Sequence, residues 1–410
     1  MDPTKYTAAT YGRPARRPGD RWAFWYFDPE PIPRNLDLEP ATVMALSEAD
    51  AAVGHLEGLG HLITEPQLLI GPYVTSEALA SSRIEGTRAS LAEVLAVDAQ
   101  AGPTGGATVD VAEVQAYVRA TNRGLELIKT LPLTQRLILD VHGVLMTGVR
   151  GQERSPGKFR HSPVWVGSPT DSPDTALFVP PLPERLGGLL DDWERFVNDP
   201  VPLPALVRAA IMHYQFETLH PFLDGNGRIG RLVIGLFLHA QGRLTTPLLY
   251  LSGYLESHRQ EYYDRLQGVR ERGEMQEWIQ FFCTAVTRQA RDGVDRAGRL
   301  VRLREQYTTQ GARLRSRAPE LVPLLFSNPF MTTARAEQAL GVANQGARKL
   351  LAQAEQLGWV EQVGTVGRAG RIVWVARDVL DIMEAPPVYA HRDAARWETG
   401  GAGWLGTARL

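Results

Sequence analysis

The sequence predicts a mainly α-helical protein that carries a short β-hairpin and a small C-terminal unit of helices and strands. Apolar residues recur at helical spacing over most of residues 36–304. Residues 147–183 interrupt this pattern with a proline-rich stretch of short β-like runs, which indicates a hairpin with arms near 164–166 and 176–179. Residues 321–383 predict three helices followed by two short strands.

Composition and charge limit the classes of function that are open to the chain. Of its 410 residues, 44% are hydrophobic and 22% are charged, which is typical of a soluble globular protein. The formal net charge of −2 gives no whole-chain field toward nucleic acid or membrane. The single cysteine, Cys283, excludes an internal disulfide and a cysteine-rich metal site and suits the cytoplasm. Without an apolar leader or a long apolar run, we expect neither secretion nor a membrane partner.

The chain divides into four expected regions. Pro, Arg and aromatic residues dominate the first part, which predicts an extended arm wrapped on a domain rather than a helix. The helical pattern is broken at Gly86, in loop 99–110 and near 311–320. We therefore predict residues 1–110 as the arm and first helices, 111–305 as a helical core, 321–383 as the C-terminal unit and 384–410 as a loose tail.

The most informative segment is HPFLDGNGRIGR at residues 220–231. It joins two helices that are predicted to be buried, and its Gly-Asn-Gly run opens the second one. A helix N-terminus offers free N–H groups and a positive dipole end, and glycines let the backbone approach an anion closely. Arg228 and Arg231 add positive charge whose geometry suits phosphate oxygens. The segment therefore predicts a site for a phosphate-containing ligand.

Two further side chains of this segment suit the transfer of a phosphate-containing group to a hydroxyl. Asp224 is a carboxylate of the kind that binds Mg²⁺ beside phosphate oxygens. The imidazole of His220 can take a proton from an attacking hydroxyl. The chain has no GxxxxGK[ST] loop and no kinase signature set, which excludes the common nucleotide-binding folds. By spacing alone, a turn that only caps a helix is an equally good interpretation.

The segment matches the Fic family motif, HPFx(D/E)GNGRxxR, at every defined position, and the chain resembles this family over about residues 40 to 300. The resemblance implies a helical Fic fold and transfer of AMP from ATP to a Ser, Thr or Tyr hydroxyl of a protein, with release of pyrophosphate. It implies His220 as the general base and Asp224 as the ligand of Mg²⁺. It also implies that ATP phosphates are bound by Gly225, Asn226, Gly227, Arg228 and Arg231, with Arg231 on the γ-phosphate.

The resemblance extends to two neighbouring features. Residues 160–179, which include the predicted hairpin, resemble the Fic flap, which holds a target protein by strand addition. Tyr262 and Tyr263 lie near the position of the family's adenine pocket, and both are candidates to bind ATP. For either tyrosine alone, packing in the core is the alternative interpretation. For the hairpin, the alternative is an ordinary surface element.

A second motif, SSRIEG at residues 81–86, fits the Fic inhibitory pattern (S/T)xxxE(G/N) through Ser81, Glu85 and Gly86. The resemblance implies that Glu85 pairs with Arg231, which removes this arginine from the γ-phosphate and prevents a productive pose of ATP. The alternative is a solvated glutamate near a helix end. Removal of AMP from targets with the help of the same glutamate, and self-modification, both stay open.

Residues 321–383 resemble the winged helix-turn-helix that follows many bacterial Fic domains. If its second helix reads DNA, the side chains that face the groove are Asn344, Gln345, Arg348 and Lys349. Six basic and three acidic residues between 331 and 377 give a charge of only +3, which is a weak electrostatic footprint for DNA. A role in protein contacts or dimerisation is the alternative.

These observations favour a cytoplasmic, Mg²⁺-dependent and self-restrained protein adenylyltransferase with ATP as substrate. One rival is a Fic enzyme that transfers another phosphate-containing group, although the intact Gly-Asn-Gly with both arginines favours AMP. The other rival is a nucleotide-sensing, DNA-binding regulator without catalysis, which has no need of His220. The sequence does not identify the target protein or its acceptor residue. The resemblance to restrained Fic proteins leads us to expect a homodimer.

Overall fold

The structure is a computed structural model that describes residues 1–17, 19, 23–62, 67–100, 108–168, 170–366, 371–387 and 389. As predicted, the chain is mainly helical. Its helices are α1 (Pro40–Leu62), α2 (Gln67–Ile84), α3 (Leu91–Gln100), α4 (Val109–Leu127), α5 (Gln135–Met146), α6 (Pro183–Asn198), α7 (Ala205–Leu219), α8 (Asn226–Ala240), α9 (Leu251–Ser257), α10 (Arg259–Arg272), α11 (Met275–Gly311), α12 (Leu321–Ser327), α13 (Thr333–Leu340), α14 (Asn344–Gln356) and α15 (Arg377–Glu384).

A helical hairpin of α7 and α8 lies at the centre of the fold. Every residue of α7 after the first is buried, which is why its sequence is apolar on more than one face. Two buried indoles fix neighbouring helices to α7: Trp193 Nε1 donates to the Met212 carbonyl at 3.0 Å, and Trp278 Nε1 donates to the Ala210 carbonyl at 2.9 Å. The loop between α7 and α8 is therefore held by a rigid scaffold.

The N-terminal arm contains a hairpin that the sequence analysis missed. Strands β1 (Gly12–Arg16) and β2 (Trp25–Pro29) pair antiparallel, with Gly12 opposite Pro29. Phe27 is fully buried beside Phe178 and Val179, and its N–H donates to the Val179 carbonyl at 2.9 Å. The arm does wrap a domain, as expected, but it does so as a hairpin packed on the segment predicted to be the flap.

The hairpin predicted within residues 160–179 is present, but its pairing is minimal. Its expected arms, 164–166 and 176–179, meet at one isolated bridge between Val166 and Phe178, whose backbone groups exchange hydrogen bonds of 2.8 and 3.2 Å. Prolines at 163 and 180 flank this bridge and have no N–H to extend the ladder. Residues 160–179, called the flap from here on, are mostly irregular.

The C-terminal unit contains more elements than predicted. Strand β3 (Phe330–Thr332) follows α12, and after α13 and α14 come β4 (Glu361–Val366), β5 (Arg371–Val375) and α15. The three strands form an antiparallel sheet in the order β3-β5-β4. The elements of this unit thus follow the order helix, strand, helix, helix, strand, strand and helix. Both β3, which has only three residues, and α15 were missed.

Contacts join the C-terminal unit to the helical core. Helix α11 runs to Gly311, past the boundary predicted at 305, and α12 packs on α2. The buried Asn328 side chain donates from Nδ2 to the Leu95 carbonyl in α3 at 3.0 Å, and its Oδ1 accepts from the Phe330 N–H at 2.9 Å. Tyr389 is also buried, although residues 391–410 of the predicted loose tail lie outside the described residues.

None of the described helices is both long and apolar enough to cross a lipid bilayer.

Substitution of Asn328 by Ala should weaken the junction between the C-terminal unit and the core. The change leaves the Leu95 carbonyl and the Phe330 N–H buried without their partner, which costs roughly 1–3 kcal/mol. Thermal unfolding should show a lower midpoint for Asn328→Ala than for Gln345→Ala, because Gln345 is exposed on α14. Equal midpoints for both variants would contradict this account of the junction.

Candidate active site

The loop between α7 and α8 begins with a residue in an unusual backbone conformation. His220 ends α7 with φ 47° and ψ 59°, in the left-handed region, and its N–H donates to the Phe216 carbonyl at 2.9 Å. A non-glycine residue in this region is disfavoured and persists only when its surroundings hold it there. This conformation turns the chain sharply between the two buried helices.

The Asn226 side chain closes the loop. Its Oδ1 accepts from the Phe222 N–H at 2.8 Å, and its Nδ2 donates to the Phe222 carbonyl at 2.9 Å. Phe222 is fully buried and stacks on the ring of His142 at 3.7 Å, which anchors the loop in the core. The predicted contribution of Asn226 to an anion site is thus left to its backbone N–H, because both polar atoms of its side chain are engaged.

His142 supports the loop from α5, and both nitrogens of its ring are hydrogen-bonded. Its Nδ1 accepts from the Gly157 N–H at 2.9 Å, so the other nitrogen carries the hydrogen and donates to the Asp224 carbonyl at 3.0 Å. Burial lowers the pKa of His142 to about 4. The ring therefore stays neutral, and its hydrogen bond to the Asp224 carbonyl holds the backbone of the loop in place.

The start of α8 has the geometry expected of an anion site. Gly225 is the N-cap with φ 81°, and a side chain there would press on Met146 and His142. The first N–H bonded within the helix is that of Ile229, to the Gly225 carbonyl at 3.0 Å. The N–H groups of the three preceding residues lie at the positive end of the helix dipole and are free to face an anion. These residues are Asn226, Gly227 and Arg228.

Asp224 lies at the outer side of the loop and has a geometry that suits a metal shared with phosphates. Its Oδ1 accepts from the Gly225 N–H at 2.6 Å and from the Arg228 guanidinium at 3.3 Å, and its side chain is 42% exposed. Among the described residues, no group of three or more His, Cys, Asp or Glu side chains could hold a metal ion. A single exposed carboxylate suits Mg²⁺, which commonly takes one or two carboxylates together with substrate phosphates and water.

Arg231 and the predicted inhibitory motif meet in the structure. Arg231 Nε donates to Ser81 Oγ at 2.9 Å, and its NH2 group donates to the Ser81 carbonyl at 2.9 Å and to Glu85 Oε1 at 2.7 Å. The Arg231 side chain is only 2% exposed, whereas that of Glu85 is 38% exposed. Gly86, with φ 102°, follows Glu85 just beyond the end of α2. Glu85 also abuts the backbone of Gly227, where a side chain would collide with it.

Burial and charge act against each other on this ion pair. Burial alone would raise the pKa of Glu85 and lower that of Arg231. The attraction between the two groups outweighs burial, so the pKa of Glu85 falls below its ordinary value and that of Arg231 rises above its own. Both groups are therefore charged at neutral pH, and the Glu85 carboxylate lies beside Gly227 at the start of α8.

His220 is neutral and partly exposed. Burial, and then the charges of Arg160 and Arg270, lower its pKa to about 4, while Glu85 and the Glu217 carbonyl act in the opposite direction. Its Nδ1 is buried and has no hydrogen-bond partner within the described residues. A neutral imidazole is the form that can accept a proton, which is the property required of a general base.

The two tyrosines that are candidates for the adenine pocket differ in their exposure to solvent. Tyr262 is 1% exposed, and its hydroxyl lies 2.8 Å from Nε2 of the buried His213, so it packs in the core and presents no surface to a nucleotide. The proposal of Tyr262 as an ATP ligand is therefore withdrawn. Tyr263 is partly exposed and has the Arg259 guanidinium 5.7 Å from its ring centre. It stays a candidate.

Glu217 is a residue near the site that sequence analysis missed. The residue is 9% exposed, and its buried Oε1 has no hydrogen-bond partner within the described residues. It abuts Gly230 of α8, where any side chain would collide with it. Burial and the nearby Glu85 raise the pKa of Glu217 to about 7, against the attraction of Arg231. No pattern in the sequence marks this residue, because a glutamate one turn before a loop is ordinary.

The neutral histidines predict how stability depends on pH. Burial lowers the pKa values of His142, His213 and His220 to about 4, 3 and 4, from an ordinary value of 6.5. Between pH 6.5 and 4 the unfolded chain binds more protons at these residues than the folded one, so their contribution to stability falls as pH falls, by up to about 1.4 kcal/mol per unit for each histidine. Denaturant unfolding at several pH values should show a shallower slope in His213→Gln than in the control His161→Gln, whose side chain is exposed. Equal slopes would contradict the prediction.

Comparisons with known proteins agree with this geometry. Residues 43–126 match the family model described as Fic/DOC family N-terminal, and residues 132–238 match the Fic/DOC family model. Protein adenylyltransferase Fic from Aedes aegypti is 31% identical over 158 residues, which are 38% of this chain and 28% of that protein. The protein of the same name from Drosophila erecta is 28% identical over 205 residues, or 49% of this chain and 37% of that protein. The chain thus spans about a third of the length of these relatives.

A solved structure shows the same fold. A Fic family protein from Desulfovibrio desulfuricans superposes with a TM-score of 0.56 at 20% identity, over 85% of this chain and 98% of that chain. The superposition extends beyond the two matched segments, and the motif 220–231 lies inside the second of them. Residues 43–126 and 132–238 thus correspond to the two parts of the Fic/DOC family.

Proposed function

We propose that this protein is a Mg²⁺-dependent protein adenylyltransferase, which transfers AMP from ATP to a Ser, Thr or Tyr hydroxyl of a target protein. One observation carries the proposal: a neutral imidazole, a free helix N-terminus and a buried guanidinium converge on the loop between α7 and α8. The names of the relatives support the same family-level activity.

His220 acts as the general base in this proposal. It takes the proton of the target hydroxyl, whose oxygen then attacks the α-phosphorus of ATP. A phosphodiester bond forms between that oxygen and the α-phosphorus, the bond to the bridging oxygen of the β-phosphate breaks, and pyrophosphate leaves. The negative charge of the bound triphosphate would raise the pKa of the imidazole from about 4 toward neutrality, which strengthens the base when substrate is present.

The start of α8 and the two arginines bind the triphosphate. The N–H groups of Asn226, Gly227 and Arg228 donate to the developing charge, and Arg231 binds the γ-phosphate. Asp224 is the residue that would hold Mg²⁺. When bound there, the ion neutralises charge on the phosphates and on the leaving pyrophosphate.

Glu85 restrains the enzyme in this proposal. Its pairing with Arg231 at 2.7 Å occupies the cation that the γ-phosphate needs, and its carboxylate lies against Gly227 at the entrance of the anion site. ATP then binds weakly or with its α-phosphate out of line with the acceptor. Release of Glu85 is the activating event, and its carboxylate also gives a route to AMP removal by positioning a water.

The flap is the proposed dock for the target. Trp165 and Leu177 are 42% and 53% exposed, and both belong to the flap segments that the bridge between Val166 and Phe178 brings together. Because strand addition uses main-chain groups, this dock selects an extended segment rather than one sequence. Self-modification of the chain and formation of a homodimer remain part of the proposal.

Two rivals are distinguishable from this proposal. A Fic enzyme with another donor transfers a different phosphate-containing group, and a pure regulator transfers none. The regulator is favoured only by the exposed residues Gln345, Arg348 and Lys349 on α14, which a DNA groove could accept. A gel shift with random duplex at low salt tests that role, and binding that is lost in Arg348→Ala together with Lys349→Ala would support it.

Transfer of label from ATP in a cell lysate tests the function. Label on the α-phosphate should appear in protein, and label on the γ-phosphate should not. Glu85→Gly should raise incorporation at least about tenfold because Arg231 is freed, and His220→Ala should lower it by about 10² to 10⁴ because the base is lost.

Arg88→Gly is the matched control for Glu85→Gly. It also places a glycine in the loop after α2, but its side chain is exposed and forms no contact with Arg231. It should leave incorporation near the wild-type level. Equal incorporation in wild type and Glu85→Gly would exclude the restraint, and transfer from the γ-phosphate alone would exclude adenylylation.

A further inference from the structure

A buried arginine outside the family motif joins the flap to the loop between α7 and α8, which is called the catalytic loop from here on. Arg160 is 3% exposed, and its guanidinium donates to four carbonyl groups. Nε donates to His220 at 2.8 Å, NH2 to Leu219 at 3.2 Å and to Pro181 at 2.5 Å, and NH1 to Ser162 at 3.4 Å. The Arg160 N–H also donates to the Pro221 carbonyl at 2.9 Å. This set of acceptors is specific, because one planar guanidinium must reach all of them together.

The acceptors lie at functionally distinct places. Arg160 begins the flap, and Pro181 lies just beyond its end, so the guanidinium closes the base of the flap. The other main acceptors, Leu219 and His220, are the last residue of α7 and the first of the catalytic loop. One side chain thus ties both ends of the flap to the backbone of the proposed general base.

The contact with the His220 carbonyl has a specific consequence. His220 is one of only two non-glycine residues with positive φ among the described residues, the other being Ser155. The orientation of its carbonyl is set by this φ and by ψ, and a hydrogen bond at 2.8 Å to a buried cation holds it. Release of this bond would let the backbone relax and turn the imidazole away from the anion site.

The charge of Arg160 acts on the same imidazole. Burial lowers the pKa of Arg160 to about 10, so it is still a cation at neutral pH. The charged groups that face His220 are Arg160 from the flap, Arg270 from α10 and Glu85 near the end of α2, with the Glu217 carbonyl of α7 nearby. After burial, the charge of Arg160 has the largest effect on the His220 pKa. It lowers this pKa and so keeps the imidazole in its proton-accepting form.

We propose that Arg160 is a positioning residue that sets the backbone of the general base and the target dock as one unit. This inference rests on the proposed function for its catalytic meaning. It predicts that the flap and His220 cannot be loosened separately, because the same guanidinium holds both. It also predicts separable effects of charge and of shape, since a lysine keeps the charge but cannot reach all four carbonyls.

Three variants in a Glu85→Gly background test the proposal. Arg160→Met removes both the positive charge and the hydrogen bonds. Arg160→Lys keeps the charge but removes the planar guanidinium that reaches the four carbonyls together. Arg208→Met is the matched control, because Arg208 is a buried arginine that donates to the Phe196, Val197 and Asp199 carbonyls away from the site.

Kinetics with an unstructured peptide target and with a folded target protein should separate the roles. Arg160→Met should lower kcat by roughly 10- to 100-fold and raise KM for the protein target, and the acid limb of its pH profile should move upward. Arg160→Lys should raise KM for the protein target and leave the acid limb in place. Arg208→Met should change neither KM nor the limb. An equal loss in Arg160→Met and Arg208→Met, with no shift of the limb, would overturn the proposal.

A second measurement does not depend on activity. Titration of ¹⁵N-histidine resonances, with His220 assigned by comparison with His220→Asn, should show a His220 pKa higher by on the order of one unit in Arg160→Met than in Arg208→Met or Arg160→Lys. An unchanged His220 pKa in Arg160→Met would contradict the positioning role. If no variant transfers AMP while this shift is seen, the proposed function fails and the link between Arg160 and His220 stands.

Discussion

The buried guanidinium of Arg231 is the constraint around which the site is organised. The Arg231 side chain is only 2% exposed and is paired with a carboxylate, and removal of one member of a buried pair typically costs about 3–5 kcal/mol. In the present conformation Glu85 supplies that anion, and Ser81 satisfies two further donor groups through its hydroxyl and carbonyl. A γ-phosphate is the other anion of suitable charge. The proposed restraint and the proposed substrate site are thus two solutions to one electrostatic requirement.

The glycines of α8 leave room for the proposed exchange. Carboxylates reach the helix at two points where a side chain is absent: Glu85 lies against Gly227, and Glu217 lies against Gly230. Arg231 follows Gly230 in the chain, and both carboxyl groups raise the pKa of its guanidinium. Since the raised pKa of Glu217 keeps much of it protonated near neutral pH, Glu85 is the carboxylate that holds the arginine. Asn226 and His142 fix the loop from the other side through their hydrogen bonds.

Local sequence was enough to predict the helix–loop–helix around His220 and the chemistry of its side chains, because the motif is contiguous and its glycines have a clear steric role. The pairing of Glu85 with Arg231, across 146 positions, followed from the family pattern and not from periodicity. Tyr262 was placed wrongly because a buried and a pocket-lining aromatic look alike at helical spacing. Arg160 was missed, since its acceptors are backbone carbonyls and leave no trace in the sequence. Strand β3 is too short to produce alternation.

The central claim is that Glu85 and the γ-phosphate compete for Arg231. Calorimetric titration of a non-hydrolysable ATP analogue and of ADP into wild type and Glu85→Gln tests it most directly, because ADP lacks the group that Arg231 is proposed to bind. The account predicts that Glu85→Gln gains more affinity for the ATP analogue than for ADP, by about tenfold or more. The same gain for both nucleotides, or no gain for either, would contradict it.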